Sequence, residues 1–206
     1  MACALVACGA RPSAPGPASP SCPTDRGVVL TSQADVERFA TCTTAPGVTI
    51  RSGGKLNTSA LRALATISGD LVIGPTVGVE EVTLGELRVV EGAVHVVGNG
   101  LMQGLFLPHL ERAGQIEIDG NVAVTTISLP QLAAVTGAIH ITDNASLELL
   151  DVPRLAVIGQ ALVLSGVPSL TLVEAAQLQR AAAIRIDAPQ LPTDVADRLR
   201  AAAAAP

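Results

Sequence analysis

Residues 110–155 read LERAGQIEIDGNVAVTTISLPQLAAVTGAIHITDNASLELLDVPRL. One pattern occurs in them twice, head to tail. Leu110, Ala113, Gly114, Ile116, Ile118, Asn121, Val124, Ile127, Leu129 and Pro130 take the places that Leu132, Val135, Gly137, Ile139, Ile141, Asn144, Leu147, Leu150, Val152 and Pro153 take in the second copy. The alternation Ile116-Glu117-Ile118, and again Ile139-His140-Ile141, has the period of a strand with one buried face. Gly, Asn and Pro punctuate the runs where the chain must turn.

Outward from this stretch the same strand recurs as Val48/Ile50, Leu71/Ile73, Val94/Val96, Ile116/Ile118, Ile139/Ile141, Leu162/Leu164 and Ile184/Ile186, at steps of 23, 23, 22, 23, 23 and 22 residues. A unit this short cannot bury its apolar face alone, so successive units must stack. The spacing predicts an all-β right-handed β-helix, or solenoid, of 22–23-residue coils with small capping helices. Each coil is expected to carry two short strands and two tight corners. Asn99, Asn121 and Asn144 fall at one corner of consecutive coils and are expected to form a structural ladder of side-chain amides.

Composition agrees with a stacked aliphatic interior. Hydrophobic residues make up 49% and aromatics 1%, Phe39 and Phe106 being the two present. With a net charge of −5 and Lys55 as its one lysine, the chain offers neither a basic stripe nor an aromatic platform, so nucleic acid is not an expected partner. Heavy use of Ala, Gly, Pro and Arg beside scarce Lys fits a bacterial genome rich in G and C.

Leu5-Val6-Ala7-Cys8 resembles the lipobox that ends a bacterial lipoprotein signal, with Cys8 as the lipidated residue, although no basic region precedes it. Residues 1–8 are read as such a signal in truncated form. Residues 9–21, with RPSAPGPASPS from Arg11 to Ser21, are read as an extended linker. Residues 22–191 are the solenoid and 192–206 a C-terminal capping helix and tail. Cys22 and Cys42 form an even pair around the first folded segment. In an exported protein such a pair defaults to a disulfide, worth about 3 kcal/mol for a loop of about 20 residues. A metal pair is the alternative, but no other Cys or His lies nearby in sequence. Thr31 or Ser32 is placed to cap a helix over Gln33 to Ala40 that closes the N-terminal end of the stack. Thr193 or Asp194 is placed to do the same for a helix to Arg200.

The outward residues of the repeated strand are Thr49, Val72, His95, Glu117, His140, Val163 and Arg185. With coils about 4.8 Å apart, His95, Glu117 and His140 must lie side by side. The two imidazoles would then stand about 9.6 Å apart at the backbone. A metal held at about 2.1 Å by both would need strained side chains. The reading taken is a solvated ladder that, with outward Phe106 on the second strand, forms a possible interaction face. No nucleophile elbow, phosphate loop or His-Glu-x-x-His motif occurs, so no catalytic residue, cofactor or metal is assigned.

The run G-x-[IV]-x-[IV]-x-x-N-x-x-[LM]-x-x-[LI]-x-[LV]-P-x-L resembles the receptor L domain, over roughly Cys22 to Leu191. This leucine-rich-repeat-like module forms ligand-binding lobes of insulin and epidermal growth factor receptors. The Cys22…Cys42 segment is similar to that family's opening, while the family's core aromatics are missing here. An ordinary leucine-rich repeat is the rival fold. It needs a helix on its convex side, for which the second strand and its Pro leave little room. The resemblance implies a non-catalytic binding module for a protein or glycan. It would be monomeric and either held on the bacterial cell envelope through the lipid at Cys8 or secreted. The alternative expectation is a structural envelope spacer with no discrete ligand.

Overall fold

The computed structural model describes residues 22–203; Cys8, residues 1–21 and the last three residues lie outside the described part. The chain forms a parallel β-solenoid of about seven turns with two small helices. It opens with β1 (Val28–Leu30), α1 (Gln33–Phe39), β2 (Thr44–Ala45) and β3 (Val48–Ile50). Two further turns supply β4 (Thr66–Ile67), β5 (Leu71–Ile73), β6 (Glu81–Thr83), β7 (Val89–Val97) and β8 (Gly104–Phe106). Then follow β9 (Arg112–Asp119), β10 (Thr126–Ser128), β11 (Ala134–Val135), β12 (Ile139–Thr142) and β13 (Leu149–Asp151). β14 (Val157–Ser165), β15 (Leu172–Glu174), β16 (Arg180–Ile186) and α2 (Thr193–Ala201) complete the chain.

Every strand pair is parallel, and residues one coil apart sit over one another. Val48 pairs Leu71, Leu71 pairs Val94, Val94 pairs Ile116, Ile116 pairs Ile139, Ile139 pairs Leu162, and Leu162 pairs Ile184. Ile116 is 1% and Ile139 4% exposed, so the alternating aliphatics do form the shared interior. That interior is closed. The space among Ile116, Ile139, Leu150 and Leu162 is about 10 Å³, at the lower limit for a single water.

The coil has three sides rather than two. A second short ladder of residue pairs, from Thr44–Ala45 through Thr66–Ile67 and Ala134–Val135 to Val157–Ile158, precedes the main strand in each turn. In β7, β9, β14 and β16 it runs on into the main strand across a bend, with register shifts between Val90 and Ala93 and between Ile158 and Ala161. A bulge bends a strand in this way. In β7, β9 and β14 glycine occupies the bend, and β16 has alanines there; a Cβ on Gly114 would stand 2.4 Å from the Glu91 carbonyl oxygen and 2.5 Å from that of Gly92.

This corner also accounts for the mixed repeat length. The third side consists of β6, β8, β10, β13 and β15, whose inward residues are Val82, Leu105, Ile127, Leu150 and Val173. Each lies nine residues beyond the last inward aliphatic of the main strand (Ile73, Val96, Ile118, Ile141 and Leu164) and eight before the next short ladder (Val90, Ala113, Val135, Ile158 and Ala181). From the short ladder to the main strand the count is three in some coils, as from Ala113 to Ile116, and four in others, as from Val90 to Val94. All the variation sits at the glycine corner.

Both ends are covered. Ser32 is the N-cap of α1; its Oγ accepts from the Asp35 amide while the Asp35 carboxylate accepts from the Ser32 amide, a reciprocal capping box. Val36 and Phe39 of α1 are buried against the first coil, and a Cys22–Cys42 disulfide ties the segment down. At the other end α2 carries no side-chain cap: its N-cap is Pro192, not the expected Thr193 or Asp194. Pro192 sets the entry to α2 with a fixed φ, and its carbonyl accepts from the amides of Val195 and Ala196. Ala196 and Leu199 face inward, and the Ala202 carbonyl accepts from the Ala181 amide of the last coil.

Candidate functional site

Register places His95, Glu117 and His140 at one level of the wide sheet, on β7, β9 and β12. Their side chains alternate with Val94, Val96, Ile116, Ile118, Ile139 and Ile141, all buried, so all three must point away from the core. His95 Nδ1 and Glu117 Oε2 lie 2.9 Å apart, with the side chains 32% and 38% exposed. His140 flanks Glu117 from the next coil and makes no hydrogen bond to it among the described residues. Two residues along each strand, Thr142 Oγ1 donates to Asp119 Oδ1. No three His, Cys, Asp or Glu side chains among the described residues converge on a point that would hold a metal ion.

Phe106 lies on the third side, in register with Thr83 and Ser128. Its outward direction is as expected, but the ring is only half exposed. It folds back along its own strand over Gly104, where a Cβ would stand 2.4 Å from the ring. Phe106 and the His95–Glu117–His140 row therefore occupy different sides of the coil and do not form one face. Beside Phe106, Ser128 Oγ donates to Asp151 Oδ2 at 2.7 Å.

The Asn corner joins these two sides. Asn99, Asn121 and Asn144 are fully buried and stacked. Asn99 Nδ2 donates to the Ile73 carbonyl at 3.0 Å and to Asn121 Oδ1 at 2.8 Å; Asn121 Nδ2 donates to the Val96 carbonyl at 2.8 Å and to Asn144 Oδ1 at 3.1 Å. Asn144 Nδ2 reaches the carbonyls of Ile118 and Thr142. Each Oδ1 further along also accepts the backbone amide of the preceding Asn. Thr76 continues the row, with its Oγ1 donating to Asn99 Oδ1 at 2.8 Å. Just before each Asn the chain takes a left-handed residue: Gly98, Gly120 and Asp143, at φ 66°, 64° and 53°. The amides are spent on the protein's own backbone and on one another, and their full burial leaves none of them facing a ligand.

One surface feature escaped the sequence reading. The residues just after the buried Thr76, Asn99 and Asn121 include Val77, Leu101 and Val122, which are 66%, 53% and 56% exposed. Val97, the outward residue next along β7 from His95, is also exposed. These aliphatics run along the Asn corner and border the His–Glu–His row. The available signal was an apolar residue in a turn, where polar side chains are the rule. An open concavity lies between residues 55–59 and β6. There Lys55 Nζ meets Glu80 Oε1 at 2.8 Å, and the hydrogen bond and charge of Glu80 raise the Lys55 pKa above its ordinary value.

Comparison with protein-family models, curated proteins and solved structures finds no match.

Proposed function

We propose that this chain is a non-catalytic binding module of the bacterial cell envelope. It is built as a receptor-L-domain-like solenoid and carried by a lipid on Cys8 or released by secretion. The observation that carries the reading is the exposed aliphatic corner of Val77, Val97, Leu101 and Val122 beside His95, Glu117 and His140. Apolar side chains collected on consecutive coils and rimmed by polar ones mark a surface that meets a protein or glycan. The lipobox-like Leu5-Val6-Ala7-Cys8 and the Pro/Ala/Ser linker supply the motive for an envelope location.

Residues 22–206, immobilised and exposed to envelope extract, are expected to retain a saturable partner. Val122→Ser or His95→Ala should weaken its binding at least about tenfold, as for a residue near the centre of an interface. Phe106→Ala, on another side of the coil, should weaken it much less. A spacer would retain nothing saturable, and that result would overturn the proposal. The anchor is tested separately by mass spectrometry of the mature N-terminus: acylated Cys8 is expected, and an intact, unmodified Met1 would refute it.

A further inference from the structure

Of the four asparagines, Asn57, Asn99, Asn121 and Asn144, only Asn99 is followed by glycine. In an Asn-Gly pair the glycine amide nitrogen meets no side chain on its way to the asparagine Cγ, so this dipeptide is the one most open to self-deamidation. The fold closes that route from both directions. Asn99 is 0% exposed, and its amide is held by Ile73, Thr76 and Asn121. The would-be nucleophile, the Gly100 N–H, is engaged to the Thr76 carbonyl at 3.2 Å.

We propose that Asn99-Gly100 is a latent modification site that coil stacking keeps shut and that fires when the coils part. The Gly100 nitrogen attacks Asn99 Cγ. An N–Cγ bond forms, the Cγ–Nδ2 bond breaks, and ammonia leaves, taking up the amide proton. Water then opens the resulting succinimide at either carbonyl, leaving aspartate or isoaspartate at 99. Neither product fits the row it came from. An aspartate would set a carboxylate oxygen against the Ile73 carbonyl and Asn121 Oδ1, two acceptors that now share the Nδ2 donor, and would bury its charge there unpaired. An isoaspartate would lengthen the main chain by one carbon and break the Thr76–Asn99 bridge. Opening therefore converts a reversible event into a permanent one.

The test uses the full chain with its disulfide intact, held at mildly alkaline pH in buffer or in unfolding guanidinium, then digested and weighed. The exchange of NH₂ for OH is expected at Asn99 at least about tenfold faster in guanidinium than in buffer, because the folded rate is scaled by the opening equilibrium. Asn121 and Asn144, followed by Val122 and Ala145, serve as internal references and should stay unconverted. Gly100 has no atom within 4 Å of an added Cβ and an ordinary φ, so Gly100→Ala leaves the fold intact while hindering the attack. It should refold fully after an exposure that costs the parent chain most of its refolded yield. Equal rates in buffer and guanidinium, or Gly100→Ala losing refolded yield as fast as the parent, would overturn the proposal.

Discussion

Asn121 shows how much one side chain carries here. Its Oδ1 accepts two N–H groups of Asn99, and its Nδ2 serves the Val96 carbonyl and Asn144 Oδ1. Truncation strands these partners in a site with no access to water. Since each buried group left unpaired costs about 1–3 kcal/mol, Asn121→Ala is expected to lower the unfolding free energy by about 3 kcal/mol, read as a shift in the denaturant midpoint. A shift under about 1 kcal/mol would mean that the row is ornamental. The alignment of these residues was legible from spacing alone, because the buried Asn recurs with the coil. The partners were not: which carbonyl each Nδ2 reaches depends on the left-handed residue before it, and at coil level Gly120 and Asp143 look unrelated. The His95–Glu117 contact was likewise legible as adjacency, whereas the absence of a matching bond to His140 depends on rotamers that spacing leaves free.

Among the elements, α1 makes a pH-sensitive contribution. Hydrogen bonds from the Ser32 side chain first, then from the Thr31 backbone and side chain, hold the Asp35 carboxyl at about 2, below its ordinary 3.8. The folded value lies below the unfolded one, so the stabilisation is complete above 3.8 and is lost as pH falls through about 2. Thermal midpoints of the parent and Asp35→Ala should differ most near neutrality and converge toward pH 2; a gap that stays constant would rule the carboxylate out as the cause. The sequence showed this helix because Thr31 or Ser32 stands ready to cap a run with Val36 and Phe39 on one face; that Ser32 is the cap, and that Asp35 closes a reciprocal box with it, came only with the structure. The sequence did not show the third side of the coil. Two residues such as Ala134–Val135 are too short for alternation to register, and the glycine bend that follows reads as a loop end.

For the molecule as a whole, stacking makes every coil depend on its neighbours, so the ends decide solubility. Val28–Leu30 and Ile184–Ile186 each pair on one side only. At the C-terminal end Ile184 and Ile186 are half-buried, α2 packs against β16, and the Ala202 carbonyl at its C-cap accepts from the Ala181 amide. Removal of residues 193–206 is expected to expose this edge and to give concentration-dependent association in light scattering. A truncated protein as dispersed as its parent would show that α2 is dispensable as a cover. The fold as a stacked spiral was legible because inward aliphatics recur at the same place in each coil from Val48/Ile50 to Ile184/Ile186. The exposed corner aliphatics were not, since hydrophobic count alone does not separate Val122, which faces water, from Val124, which is buried.

The glycine bend has one more consequence. Because coils already differ by one residue there and nowhere else, that joint takes up length without turning any other surface. One residue inserted between Ala113 and Gly114 recreates the spacing of the coils on either side, and should cost less than about 1 kcal/mol in a urea melt. The same insertion after Asn121 would put Ile127 and every later inward residue of that turn out of phase. Lineages of such a chain can therefore drift in size at this hinge while the outward rows on the other sides keep their alignment.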